Sequence, residues 1–209
     1  MDEFLSESEQ WERLKDWLKQ NVPWLLTGVA VAVIGVVGWR WWQAREETQL
    51  LAAASRYDVL VKAFDRRDLA AVTTEADALA RDHGGTGYAD QGQLAAARLL
   101  LEEKQPDQAL VRLQKLVADT SDPELALIAR LRIARIQLDQ KQPDAALATL
   151  SAVDAGAFAP RYAETRGDAL LAKGDRDGAL KAYREAQAAG TAVVDADLLS
   201  LKINDLTRS

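Results

Sequence analysis

The chain has 209 residues, with 26 Lys and Arg against 32 Asp and Glu, a net charge of −6, one His and no Cys. A mildly acidic balance gives no long-range attraction to nucleic acid, and the lack of cysteine removes disulfides, thiolate metal sites and cysteine nucleophiles. The single histidine, His83, stands beside Gly84 and Gly85 and reads as a loop residue in solvent, because a metal or a proton relay needs several converging donors.

In chain order, the first expected element is an amphipathic helix within residues 1–21. Trp11, Leu14, Trp17 and Leu18 recur at helical spacing, with Glu12, Arg13, Lys15, Asp16 and Lys19 between them. Such a helix lies along lipid headgroups or docks on a partner at the membrane surface. Pro23 then permits a change of direction.

Residues 22–42 follow as a transmembrane signal anchor. The run from Val22 to Trp39, VPWLLTGVAVAVIGVVGW, contains no charge. About 18 to 21 residues rising ~1.5 Å each give roughly 27 to 32 Å, the depth of the hydrocarbon core. All six tryptophans lie at or before Trp42: Trp11, Trp17 and Trp24 on one side, Trp39, Trp41 and Trp42 on the other. Two such belts mark the two interfaces of a span. The long charged lead and the bulky Trp39-Arg40-Trp41-Trp42 do not suit a cleavage site, so the anchor is expected to stay uncleaved. Arg13, Lys15 and Lys19 face Arg40 and Arg45 across the run, and that small bias leaves both orientations open. Within the span Gly28, Ala32 and Gly35 form a stripe of small residues on which another helix can pack.

Residues 43–209 are expected to form an all-α domain of helix pairs. Neither Gly nor Pro occurs between Trp39 and His83, so the span can continue outward as helix. Leu50, Ala54, Tyr57, Val61 and Phe64 repeat at alternating spacings of four and three, and Leu69, Val72, Ala76 and Leu79 follow after Asp65-Arg66-Arg67-Asp68. This predicts a helical hairpin; two heptads are too few to prefer a coiled coil. His83-Gly84-Gly85-Thr86-Gly87 ends it.

The remainder repeats itself. Lys104-Gln105-Pro106-Asp107-Gln108-Ala109-Leu110 recurs 37 residues later as Lys141-Gln142-Pro143-Asp144-Ala145-Ala146-Leu147, and more loosely from Lys173-Gly174-Asp175 to Ala179-Leu180. Proline suits the first turn of a helix, and acids suit its positive end. The pattern resembles the tetratricopeptide repeat, best over Pro160 to Gln187, with Gly167, the turn Lys173-Gly174-Asp175, and then Ala179, Tyr183 and Ala186. Ala97 and Ala134 supply the small residue in the earlier copies, and Leu113 and Leu150 stand where the last copy has Tyr183. The hairpin Thr48 to Gly84 fits poorly and reads as a divergent repeat. Helices are predicted near 46–65, 69–82, 86–104, 106–118, 123–140, 143–153, 160–173, 176–188 and 192–207. The last, with Leu198, Leu199, Leu201, Ile203 and Leu206, is expected to cap the open end of the array.

No catalytic constellation is visible, so no enzyme, cofactor or metal is expected: no serine has a histidine spaced for a triad, and Gly84-Gly85-Thr86-Gly87 lacks the lysine of a phosphate-binding loop. Arrays of helix pairs instead bind polypeptides along their inner surface. The first helix of each pair lines that surface. The predicted positions are Gln91, Leu94, Arg98 and Leu101 in one repeat, and Ile128, Leu131, Arg132, Arg135 and Leu138 in the next. The last repeat adds Arg161, Glu164, Asp168 and Leu171. Leucine beside arginine is apolar yet able to pair carboxylate or carbonyl oxygens; the plainer alternative is that the arginines are solvated and cover alanine-rich helices with their stems.

A short acidic lead, one span flanked by tryptophan (GVAVAVIGVVGWRWWQ over residues 28–43) and a tetratricopeptide-like domain occur in the same order in the ancillary subunits of the bacterial Sec translocon, which the chain resembles along nearly its whole length. The resemblance implies a single-pass inner-membrane protein with a cytoplasmic N-terminus and a periplasmic domain. It also implies association with SecYEG and with a membrane-anchored, prolyl-isomerase-like chaperone, and a role in handling unfolded secreted polypeptides. A scaffold for a division or wall-synthesis complex, using the same repeats, and a cytosol-facing adaptor of inverted topology are the rival readings.

Overall fold

The structure is a computed structural model that describes residues 7–151, 153–188 and 195–208, without the side chains of 7–10, 23 and 25. Residues 1–6 of the expected leading segment and the expected start of the last helix at 192 lie outside the described residues. The chain divides into two compact units, Met1–Leu51 and Ala52–Ser209, and the division falls within the first helix, α1 (Glu7–Asp65).

The first unit is helical throughout its described part. The axis turns by 56° between Trp11–Val22 and Leu26–Asp65, where Pro23 withholds an amide donor from the helical ladder. Among the described residues no single helix is long and apolar enough to cross a membrane, whereas this bent pair passes together by length and composition. The apolar run is short and ends in Trp39, and Arg40, Trp41 and Trp42 follow it directly, which lowers the mean hydropathy there. Its described side chains are uncovered: Trp24 is 78% exposed and Ile34 71%. At the end of the run, Trp39 and Trp42 lean on each other with ring centroids 5.6 Å apart.

The second unit contains the end of α1 and then α2 (Leu69–Asp82), α3 (Gly87–Glu102), α4 (Pro106–Asp119), α5 (Pro123–Asp139), α6 (Pro143–Ser151), α7 (Ala159–Ala172), α8 (Arg176–Ala188) and α9 (Ala196–Arg208). A 3-10 turn, Gly156–Phe158, absent from the predicted elements, precedes α7. From α2 onward each helix packs on the next. Local chemistry sets the starts. Asp68 Oδ1 accepts the amide of Ala71 at 3.0 Å, and Asp122 Oδ1 accepts those of Glu124 and Leu125 at 2.9 and 3.2 Å. Pro106 and Pro123 occupy first turns, where a missing N–H costs nothing.

The same turn joins the two helices of four pairs: α1 with α2, α3 with α4, α5 with α6 and α7 with α8. Arg67, Lys104, Lys141 and Gly174 adopt φ of 57°, 59°, 63° and 85°. The residue after each donates its amide back into the preceding helix: Asp68 to Ala63, Gln105 to Leu100, Gln142 to Gln137 and Asp175 to Leu170, at 2.8 to 3.0 Å. This is the left-handed C-terminal cap that absorbs orphan carbonyls. The hairpin formed by α1 and α2, which reads as divergent in sequence, therefore shares its turn with the other three.

Val72, Ala109, Ala146 and Ala179 stand at matching positions, one per pair, and all are fully buried. In α1 the buried stripe is Ala53, Leu60 and Ala63, one helical position away from the predicted Leu50–Ala54–Tyr57–Val61–Phe64 series. Tyr57 and Phe64 pack partly against the same cluster, while Val61 is exposed. Polar links join non-adjacent turns. Gln93 Nε2 donates to the Ala76 carbonyl at 2.8 Å, and the Tyr162 hydroxyl donates to the Leu127 carbonyl at 2.8 Å. Burial pushes the Tyr162 hydroxyl up to about 12.

Candidate functional site

The helices α1, α3 and α5 bring one wall of the second unit together as a groove. Its upper part, of about 230 Å³, is bounded by Tyr57, Leu60 and Phe64 from α1, Leu94 and Arg98 from α3, and Arg132 from α5. Its lower part, of about 560 Å³, runs past Leu101, Arg135, Ile136 and Leu113. Arg98 and Arg132 line both parts. Helical geometry explains the assembly: Gln91, Leu94, Arg98 and Leu101 follow at spacings of three and four, so they share one face of α3.

Three guanidinium groups meet there in different states. Arg98 donates to Glu102 at 3.0 Å and lies 5.5 Å over the Phe64 ring. Glu102 also accepts from Arg67, and these two arginines hold its carboxyl below the usual range. Arg135 is exposed. Arg132 is half-buried, and burial, reinforced by the like charges of Arg98 and Arg135, lowers its pKa from the ordinary arginine value. Glu102 and Asp139 are the acids on these walls.

Of the residues expected on the inner surface, Gln91, Leu94, Arg98, Leu101, Arg132 and Arg135 converge on this groove. Leu131 and Leu138 pack into the core between α5, α6 and α7, and Ile128 is half-buried on α5. The positions on α7 lie elsewhere. Lys202 of α9 donates to Glu164 at 2.9 Å and to both carboxylate oxygens of Asp168 at 2.8 and 3.0 Å. The Tyr183 hydroxyl donates to Asp168 at 2.7 Å. Burial opposes the Lys202 charge, but the Asp168 and Glu164 carboxylates outweigh it and hold the ammonium above its usual pKa. Arg161 is half-buried and Leu171 exposed; neither lines the groove.

Tyr57 and Phe64 were legible as part of an apolar series, and their face toward the groove follows only from how α1 seats on α3. Lys202 carries no local signal, since its partners lie 34 and 38 residues away.

The tetratricopeptide repeat-like domain family matches residues 15–208. A Haemophilus influenzae protein named "Ancillary SecYEG translocon subunit" is 29% identical over 202 residues, 97% of this chain and 98% of that protein. An Escherichia coli protein of the same name is 30% identical over 207 residues, 99% of this chain and all of its own length. Among solved structures, the "MamA RS-1 ArsTM double mutant" superposes with a TM-score of 0.53 at 18% identity, covering 75% of this chain and 94% of that one. At that identity the likeness concerns the fold alone.

Proposed function

The chain belongs to the ancillary SecYEG translocon subunits and carries their tetratricopeptide repeat-like domain, and on that premise we propose that it is a non-catalytic adaptor, anchored in the bacterial inner membrane, that holds its groove beside the Sec channel. The observation that carries this reading is the end-to-end match to relatives of that name, anchor region included.

In the proposed arrangement residues 1–21 lie in the cytoplasm, residues 22–42 form a single span and residues 43–209 stand in the periplasm. The uncovered apolar run supports the span, because an exposed patch of this size needs lipid or protein over it. Tethering then acts through local concentration. A domain held next to the channel exit meets emerging chains at an effective concentration toward the millimolar range. Weak contacts along the groove suffice under those conditions, both for an emerging secreted polypeptide and for a membrane-anchored, prolyl-isomerase-like chaperone that would share the work.

Deletion of residues 1–45 tests the proposal, since the second compact unit begins only at Ala52. The truncated protein is expected to lose co-purification with SecYEG and to be released from membranes by carbonate. Undiminished recovery of the channel would contradict the reading.

A further inference from the structure

We propose that Arg132 is a carboxylate-binding site: it seats an acidic side chain of an extended polypeptide whose neighbouring apolar side chain enters the pocket between Phe64 and Leu94. This deepens the adaptor reading and rests on it for a polypeptide ligand.

One charge in the groove is left over. Arg98 is paired with Glu102 and stacked on Phe64. The guanidinium of Arg132, its neighbour across the groove, makes no hydrogen bond or ion pair among the described residues, although the residue is half-buried. A partly desolvated cation without a partner is an unfavourable state that a carboxylate relieves. Burial and two like charges have already lowered its pKa, and an anion between the three guanidinium groups would remove that repulsion. The planar fork of arginine matches a carboxylate with two parallel N–H···O bonds.

The rest of the groove argues for a peptide over a small anion. Arg132 lies where the two parts join, with Phe64 and Leu94 on one side and Leu101 and Ile136 on the other. A free phosphate would use the charge and leave these apolar walls wet. A segment with an acid beside a bulky apolar residue would use both. Glu102 is shared between Arg67 and Arg98, so it does not compete for Arg132. Asp139 lines the lower part together with Arg135, and its charge favours one seated carboxylate over a long acidic tract.

The test uses the full-length protein in detergent micelles and two blocked, fluorescein-labelled peptides, Gly-Leu-Ser-Glu-Phe-Gly and its amide twin Gly-Leu-Ser-Gln-Phe-Gly, with Kd read by anisotropy at low salt. The acidic peptide should bind about tenfold more tightly than its twin, the effect of one charge-assisted pair. In Arg132→Gln that preference should vanish while the affinity of the twin is unchanged. Arg135→Glu, at an exposed position, should also weaken the acidic peptide and serves as a second variant if Arg132→Gln folds poorly. Equal affinity of both peptides for the unmodified protein would overturn the carboxylate site while leaving a polypeptide groove. A preference that survives in both variants would place the carboxylate elsewhere and overturn the assignment. Binding of neither peptide would overturn the carboxylate site and the groove reading together.

Discussion

Gly167 and Tyr183 leave no room between them: a methyl group on Gly167 would clash with the Cδ1–Cε1 edge of the Tyr183 ring. Gly167 is buried and Tyr183 fully so, so neither can move aside without disturbing the contact between α7 and α8. Gly167→Ala is therefore expected to destabilise by about 1–3 kcal/mol through overpacking, although alanine is the better helix former by ~1 kcal/mol. Adding Tyr183→Leu should recover most of the loss, because Ala97 with Leu113 and Ala134 with Leu150 are the same pairing in the earlier repeats. Urea unfolding followed by circular dichroism at 222 nm reads both.

Lys202 ties α9 to α7 through two acids, one of which, Glu164, is only 9% exposed. Lys202→Ala would leave that carboxylate buried without its cation, at a cost of about 1.5–3 kcal/mol, and should speed hydrogen exchange of the α9 amides above all others in the domain. The folded pKa of Lys202 is raised from 10.5. Its contribution is thus fully present below about pH 10.5 and lost as pH rises through the folded value. Exchange measured on either side of that pH should show α9 loosening in the unmodified protein and little further change in the variant.

Arg112 bridges α4 to α2, donating to Asp77 at 2.7 and 3.1 Å and to Gln93 at 3.0 Å. The Arg112 hydrogen bond holds the Asp77 carboxyl below its usual 3.8. A depressed carboxylate stabilises above its unfolded pKa and ceases to do so as pH falls through the folded one. Because Asp77 is largely exposed, the pair is worth no more than about 1 kcal/mol. Arg112→Gln should lower stability by roughly that amount at pH 7, and the gap should close on acidification below about pH 3.8. Paired thermal melts across that range check the sign.

The repeat boundaries were legible because proline after a left-handed turn leaves a local mark: Lys104 and Lys141 sit at positive φ two residues before Pro106 and Pro143. The first hairpin hid because its packing is inverted. Leu60 stands where the later repeats carry Ala97, Ala134 and Gly167, and Ala76 stands where they carry Leu113, Leu150 and Tyr183; a Cβ on Gly92 would touch both Leu60 and Ala76. Large against small is preserved with the partners exchanged, and a motif read position by position does not see that. The middle of the groove followed from helical spacing. Its limit at α7 did not, since an amphipathic pattern in α9 says that one face is buried without saying on what, and only the fold brings Lys202 to Glu164 and Asp168.

Orientation has its own check. Alkaline phosphatase fused after Ser209 should be active in intact cells, as the proposed periplasmic domain requires, and a β-galactosidase fusion at the same point should be inactive. The reverse pattern would assign the domain to the cytosol and remove the secreted polypeptides from its reach.

The central claim is that this groove meets translocated polypeptides beside the Sec channel. A photo-crosslinking amino acid placed at Arg135, an exposed position on the groove wall, tests it in living cells. The account predicts adducts to SecYEG subunits and to secretory chains during export, lost when residues 1–45 are deleted. Adducts confined to wall-synthesis or division proteins, unchanged when export is blocked, would contradict it.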